Sequence, residues 1–152
     1  MAATNFTYVI KQVELALRPH FNAICADAGL SPAQYTALTV LQRRPDLTSS
    51  ELARRSFVRA QTMAATIDPL LAAGLVSRTP DPQHRRRMLL RLTDAGAARL
   101  AEIAPRIDAL EELVVAELDE TAQADFARFL RSARRSLDTA GPRPSGRRPA
   151  AG

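Results

Sequence analysis

Arginine is the residue type that carries chemistry in this chain. Twenty of the 21 basic residues are arginines, and Lys11 is the single lysine. Residues 52–92 hold eight of them, at positions 54, 55, 59, 78, 85, 86, 87 and 91, against two acids, Asp68 and Asp81, a local charge of +6. The rest of residues 1–138 has ten basic and fourteen acidic residues, a charge of −4. A strongly positive segment on an acidic body is the footprint expected of a nucleic-acid binder. A basic run taken alone is more often a solvated face, so the fold of this segment must decide.

Other chemistry finds little support. His20, His84 and Cys25 are scattered, and no cluster of carboxylates accompanies them, so no metal site is expected. Glu111-Glu112, Asp119 and Glu120 read as solvated helix faces and caps. There is no nucleophile motif, glycine-rich phosphate loop or acid–base pair. The expectation is a protein that is not an enzyme and needs no cofactor.

The elements around the arginines are legible from periodicity and punctuation. Phe6, Val9, Ile10, Val13, Leu17, Phe21 and Ile24 form one apolar stripe on a helix over roughly residues 4–27, which Pro19 should bend. Ser31-Pro32-Ala33-Gln34 opens a second helix with a capping box, and that helix ends before Pro45. Thr48-Ser49-Ser50-Glu51 opens a short third. After a turn over 56–59, a helix runs from about Ala60 to Ala73 and stops at Gly74. Its expected inner face is Ala60, Met63, Ala64, Ile67, Leu70 and Leu71; Gln61, Thr62, Ala65, Pro69 and Ala72 lie opposite. Leu75–Pro80 and Met88–Leu92 read as strands around a basic tip, DPQHRRR. Thr93 caps a long fifth helix with Pro105 as a kink, and Asp119 or Thr121 opens a sixth that buries Phe126, Phe129, Leu130, Ala133 and Leu137.

That order predicts a mainly α fold with a small β-hairpin wing: a winged helix-turn-helix with N- and C-terminal dimerisation helices. Residues 31–92 form the DNA-binding lobe, 1–30 and 93–138 the helical dimerisation region, and 139–152 a disordered basic tail. With 152 residues, 46% hydrophobic, no Trp and 5% aromatic, the core must be built of Leu, Ile, Val and Ala. No apolar run approaches the roughly 20 residues of a membrane span. MAATNFTYVI lacks the form of a signal peptide, so a cytoplasmic protein without membrane association is expected.

The segment AAGLVSRTPDPQHRRRMLLRLTDAG, residues 72–96, resembles the MarR family of bacterial regulators. Gly74, Leu75, Val76, Arg78, Asp81, Arg85, Arg86, Leu92, Thr93 and Gly96 occupy the family's motif positions; GLSPAQYTALTVL and LTSSELARRSFV fit the helices before them. The resemblance covers about residues 5–138. It implies a homodimer, a recognition helix at about 60–73, a wing at about 81–87 and a double-stranded, pseudo-palindromic operator. Ser49, Ser50, Arg54, Arg59, Gln61, Thr62, Thr66, Arg78, Arg85 and Arg86 are the candidate DNA-binding residues. Arg86 is the first choice for insertion into the minor groove and Arg85 the second, with Asp81 holding the wing's shape. Alternation along a two-stranded ribbon keeps the three consecutive arginines from all facing DNA; with Arg86 inserted, Arg85 turns toward a phosphate or toward Asp81, and Arg87 to the lobe or to solvent. The family usually represses, and many members release DNA on binding a small aromatic or phenolic effector; His20 and Tyr35 are candidates for that pocket. Some relatives sense peroxide through a cysteine, but Cys25 reads as an inert, packed side chain. A winged helix used only for protein interaction is the alternative of another class. Two departures stand out. Arg59-Ala60 replaces a capping Thr-Pro or Ser-Pro, and Ala65 and Pro69 replace outer-face arginines, so contacts should shift toward Gln61, Thr62, Arg59 and the wing.

Overall fold

The computed structural model describes residues 4–141. Six helices and one hairpin follow in order: α1 (Phe6–Asp27), α2 (Pro32–Arg43), α3 (Ser49–Ser56), α4 (Ala60–Ala72), β1 (Val76–Pro80), β2 (Met88–Leu92), α5 (Asp94–Val114) and α6 (Glu120–Ala140). The chain divides into two compact units between Glu111 and Glu112.

The helix starts are chemical. Asn5 caps α1 through Tyr8 N–H. Ser31 with Gln34 and Thr48 with Glu51 form reciprocal capping boxes on α2 and α3, each satisfying two otherwise orphaned donors. Asp119, not Thr121, caps α6 by accepting from Ala122 N–H at 2.8 Å. α4 begins at Arg59 with no side-chain cap, as the loss of Ser or Thr there implies. α1, α4 and α5 each run through an internal proline, at 19, 69 and 105.

The core of the first unit gathers Leu38 and Leu41 from α2, Leu52 from α3, Met63, Ile67 and Leu70 from α4, Leu75, Val76 and Leu90 from the hairpin, and Leu100 and Ile103 from α5. It is aliphatic, as the composition requires. The hairpin pairs antiparallel with Val76 opposite Leu92 and Pro80 opposite Met88. Leu47, between α2 and α3, adds a bridge to Leu90, so the wing is hydrogen-bonded to the lobe that holds the two helices.

The Gly-Leu-Val and Leu-Thr-x-x-Gly segments have one physical purpose. Gly74, at φ +71°, terminates α4. Thr93 Oγ1 donates to the Gly74 carbonyl at 2.6 Å and accepts from Gly96 N–H at 3.1 Å, joining the end of α4 to the start of α5. Gly96 is buried where any Cβ would strike the Leu75 carbonyl oxygen.

Several expectations change. β1 starts at Val76 rather than Leu75. Ala60 and Ala64 are exposed and Leu71 half-buried, while Thr66 joins the buried face of α4, because Met63, Thr66, Ile67 and Leu70 form the i, i+3, i+4, i+7 stripe that packs. α6 has no buried residue: Phe126 is half-buried and Phe129, Leu130, Ala133 and Leu137 are exposed, since the described residues of its own unit supply no second surface to cover that face. α6 also extends to Ala140, past the expected start of the tail; residues 142–152 lie outside the described residues.

Candidate nucleic-acid interface

α3, the turn after it, α4 and the wing supply the exposed basic and polar groups. On α4, the turn facing away from the core presents Gln61 and Thr62, both exposed, with Ala65, Pro69 and Ala72 further along that surface. Arg59 stands exposed at the start of the helix and Arg54 is exposed on α3. Such a helix, smooth and small toward its C-terminal half and polar at its N-terminal end, suits insertion of that end into a major groove. Gln61 can make a bidentate pair with adenine, and Thr62 can reach a base or a phosphate. Thr66 does neither. It is buried, and its hydroxyl donates to the Thr62 carbonyl at 2.8 Å, so it leaves the set of candidate contacts.

The wing tip is built by two successive turns. Asp81 N–H donates to the Arg87 carbonyl at 2.8 Å and closes the loop. His84 N–H donates to the Asp81 carbonyl at 3.2 Å, and Arg87 N–H donates to the His84 carbonyl at 2.8 Å. The Asp81 carboxylate accepts from Gln83 N–H at 2.9 Å, which fixes the first turn from within. Arg85 and Arg86 therefore occupy the two central positions of the second turn, at the corner of the loop. Ribbon alternation does not govern them, because they do not lie in strands. A turn corner projects both side chains into solvent, and neither makes an ion pair or side-chain hydrogen bond among the described residues.

Arg87 turns back, its guanidinium 3.4 Å from Glu51 of α3. Glu51 is held below its ordinary pKa first by the Thr48 N–H that it accepts, with Arg87 and Arg54 adding to the effect. Ser49, Ser50, Arg54 and Arg87 line an open cleft of about 450 Å3 between the first turn of α3 and the wing. Arg78 is exposed on β1, opposite Leu90.

A second ion pair holds the other end of the wing. Arg91 Nε and Nη2 donate to Asp46 Oδ1 at 3.0 and 2.8 Å, and Nη2 also donates to Oδ2 at 2.7 Å. Asp46 sits at φ +62° in the α2–α3 loop. Its carboxyl is lowered below the ordinary value chiefly by these hydrogen bonds. The turn of Arg87 toward the lobe was one of the two expected outcomes, but its partner Glu51 and the Asp46–Arg91 pair were not distinguishable by sequence. An acid beside a turn and a basic residue 45 positions later carry no local sign of pairing.

The remaining candidates separate from this surface. Cys25 is wholly buried, and burial raises its thiol pKa, which disfavours the thiolate that peroxide chemistry needs. Tyr35 is half-buried with its ring edge-on to Phe21, centroids 5.4 Å apart. His20 is exposed on α1, and His84 is exposed in the wing. A second open cleft, lined by Leu41, Gln42, Pro45, Arg91 and Leu92, involves neither His20 nor Tyr35. Among the described residues no group of His, Cys, Asp and Glu could hold a metal ion, and no helix is long and apolar enough to cross a membrane.

Comparison with known proteins agrees with this geometry. Residues 28–87 match the sequence profile of the MarR family. The chain is 31% identical over 123 residues to the HTH-type transcriptional repressor Rv2887 of Mycobacterium tuberculosis, covering 81% of this chain and 88% of that protein. The repressor CouR bound to a 23-mer DNA duplex superposes with a TM-score of 0.77 at 27% identity, covering 85% of this chain and 92% of that one. The regulator PcaV of Streptomyces coelicolor, in complex with its natural ligand, superposes with a TM-score of 0.75 at 28% identity over 93% of this chain and all of that one.

Proposed function

This chain belongs to the MarR family, and from that premise we propose that it is a homodimeric, ligand-responsive transcriptional repressor that grips a pseudo-palindromic operator with α4 and the wing. It is a DNA-binding regulator of the winged helix-turn-helix class. The observation that carries the mode of binding is the wing corner. Arg85 and Arg86 project from a loop closed by three backbone hydrogen bonds and braced by Asp81, while the lobe anchors the loop through Arg87 and the far end of the wing through Arg91. A cation on a rigid support loses little freedom when it enters a groove, so more of the electrostatic attraction appears as affinity.

The division of labour follows from position. Arg86 enters the minor groove, where a narrow A·T-rich stretch concentrates negative potential, and Arg85 meets the adjoining phosphate. Gln61 and Thr62 read base edges in the major groove, with Arg59, Arg54, Ser49 and Ser50 on the flanking backbone and Arg78 on the wing stem. Two copies place half-sites about one helical turn apart, roughly 10 base pairs, or a multiple of it.

Release by a small molecule is the second part of the proposal. PcaV is a precedent for a ligand complex in this fold. An aromatic or phenolic acid bound near His20 and Tyr35 would favour a dimer whose recognition helices are wrongly spaced for DNA. Peroxide sensing is not favoured, given the burial of Cys25.

Selection from a randomised duplex pool at fixed salt tests the assignment. Arg86→Ala should cost about 1–3 kcal/mol per half-site and relax A·T preference at the operator flanks. Gln61→Ala should relax preference nearer each half-site centre. An Arg86→Ala protein as tight and as selective as the parent would reject the wing assignment.

A further inference from the structure

Each of the three helix-interior prolines, Pro19, Pro69 and Pro105, leaves one carbonyl of its helix without the usual donor, because proline has no N–H to offer the residue four positions earlier. The carbonyls concerned are those of Leu15, Ala65 and Ala101. These residues and the prolines are all exposed, so water can take the place of the missing donor. Two of the sites lie on α1 and α5, away from the residues assigned to DNA. The third, at Ala65, lies on α4, on the face that points away from the core.

The side chains around this carbonyl leave it open. Ala65 carries only a methyl group, Ala72 extends the same small surface, and the Pro69 ring has no polar atom. Asp68, exposed beside Pro69, is an acceptor when ionised and supplies no proton. The hydroxyls of α4 belong to Thr62 and Thr66, and Thr66 donates to the Thr62 carbonyl at 2.8 Å. A major groove pressed against this face would expel the water that serves the free protein. A carbonyl stripped of water and given no donor is unfavourable by about as much as a lost hydrogen bond, so the groove must return one.

We infer that the Ala65 carbonyl reads a base, accepting a hydrogen bond from the exocyclic amine of adenine or cytosine in the major groove. This rests on the DNA-binding reading above. Those amines are the donors on the major-groove edges, whereas guanine and thymine present acceptors there. An acceptor-only group therefore separates amino bases from keto bases. Opposite guanine O6 or thymine O4 the carbonyl meets a second acceptor and stays unpaired. Ala65 lies four residues beyond Gln61, about 6 Å along the helix axis, which is about two base pairs at roughly 3.4 Å each. The position it reads should stand about that far from the one that Gln61 reads. Pro69 thus gives sequence preference to a stretch of helix whose outward side chains, Ala65 and Ala72, have no hydrogen-bonding group.

The test compares the duplexes that the parent and Pro69→Ala recover from a randomised pool, with thermal unfolding measured alongside. Alanine restores the N–H, ties the Ala65 carbonyl into the helical ladder and keeps the outer face small. Pro69→Ala should unfold at or above the parent temperature, because proline is poorly tolerated in a helix interior. It should lose the preference for adenine or cytosine at one position per half-site, about two pairs from the position that Gln61→Ala relaxes, and keep the others. At that position a base without the amine, unsubstituted purine for adenine or 2-pyrimidinone for cytosine, should weaken the parent about fivefold per half-site and leave Pro69→Ala unaffected. A Pro69→Ala protein with the parent's full preference overturns the inference and leaves the DNA-binding reading intact. So does a parent indifferent to loss of the amine. Relaxed preference at every position overturns it as well, because Pro69 would then act by setting the axis of α4. If the parent recovers no duplex, this inference and the DNA-binding reading fall together.

Discussion

Gly96→Ala is a single added methyl group whose cost can be worked from the structure. An added Cβ would lie 2.2 Å from the Leu75 carbonyl oxygen and 2.5 Å from Leu92 Cδ1. The leucine methyl can rotate away, but the carbonyl is backbone at the end of the α4 cap. The two segments must part by about 1 Å to restore an ordinary contact. Overpacking of this kind costs about 1–3 kcal/mol. The same opening stretches two hydrogen bonds, Thr93 Oγ1 to the Gly74 carbonyl at 2.6 Å and Thr93 N–H to the Leu75 carbonyl at 3.1 Å. Each is worth about 1 kcal/mol. Alanine returns about 1 kcal/mol through its better helix propensity. The net expectation is a loss of about 2–4 kcal/mol, or roughly 5–15 °C in Tm for a chain of this size. Thermal unfolding followed by circular dichroism, at matched protein concentration, reads this directly. A Gly96→Ala protein with a Tm at or above that of the parent would refute the close-approach argument.

Other expectations follow from the ion pairs, the thiol and the exposed helices. Asp46→Asn keeps a side chain suited to positive φ and removes only the charge that holds Arg91. Because the folded carboxyl sits below its ordinary pKa, its stabilising effect is full above the ordinary value and fades as pH falls through the lowered one. The Tm gap between parent and Asp46→Asn should therefore be constant from neutral pH to about 5 and close only in stronger acid; a gap that closes near neutrality would contradict this. Cys25→Ser should leave DNA affinity unchanged, and mild peroxide should not release the parent from DNA; release of the parent but not of the variant would restore the thiol-sensor alternative. α1 leaves Ile10 and Val13 half exposed, at 50% and 49%, on its apolar stripe. Light scattering at micromolar concentration should report a dimer, and Ile10→Asp with Val13→Asp should shift it toward monomer. A parent that stays monomeric while binding DNA at full affinity would exclude the two-fold arrangement.

Most of the fold was legible because its punctuation is local. Ser31 with Gln34, Thr48 with Glu51, Gly74 and Thr93 each act within a few residues of their own position, and every one marks a boundary in the structure. The register of α4 was less legible. Its inner face was drawn through Ala60 and Ala64, yet alanine carries too little surface to set a helix's rotation. Met63, Ile67 and Leu70 set it instead and carried Thr66 inward with them. A threonine tolerates that position because its hydroxyl finds the Thr62 carbonyl one turn back. The apolar face of α6 was legible as a pattern but not as burial, since periodicity reports that a face seeks cover and not whether the same chain supplies it.

The basic segment shows why charge counting locates an interface without composing it. Eight arginines lie between residues 52 and 92; Arg54, Arg59, Arg78, Arg85 and Arg86 are the candidate DNA contacts, and Arg87 is expected from sequence to turn to the lobe or to solvent. Two of the eight have other tasks: Arg87 meets Glu51 and Arg91 meets Asp46, both on or beside α3. These pairs leave the wing's net charge almost unused but fix where the wing stands relative to the helices that share its groove. Exposed ion pairs of this kind contribute little to stability, so their value lies in position rather than in folding energy. Arg85 and Arg86 are then the cations at the wing tip, and their effect on DNA depends on residues that need never touch it. Disrupting Asp46 should therefore weaken A·T preference at the operator flanks, where the wing acts, and spare the half-site centre, where Gln61 stands. Equal loss at both positions would mean that Asp46 supports the whole lobe and not the wing.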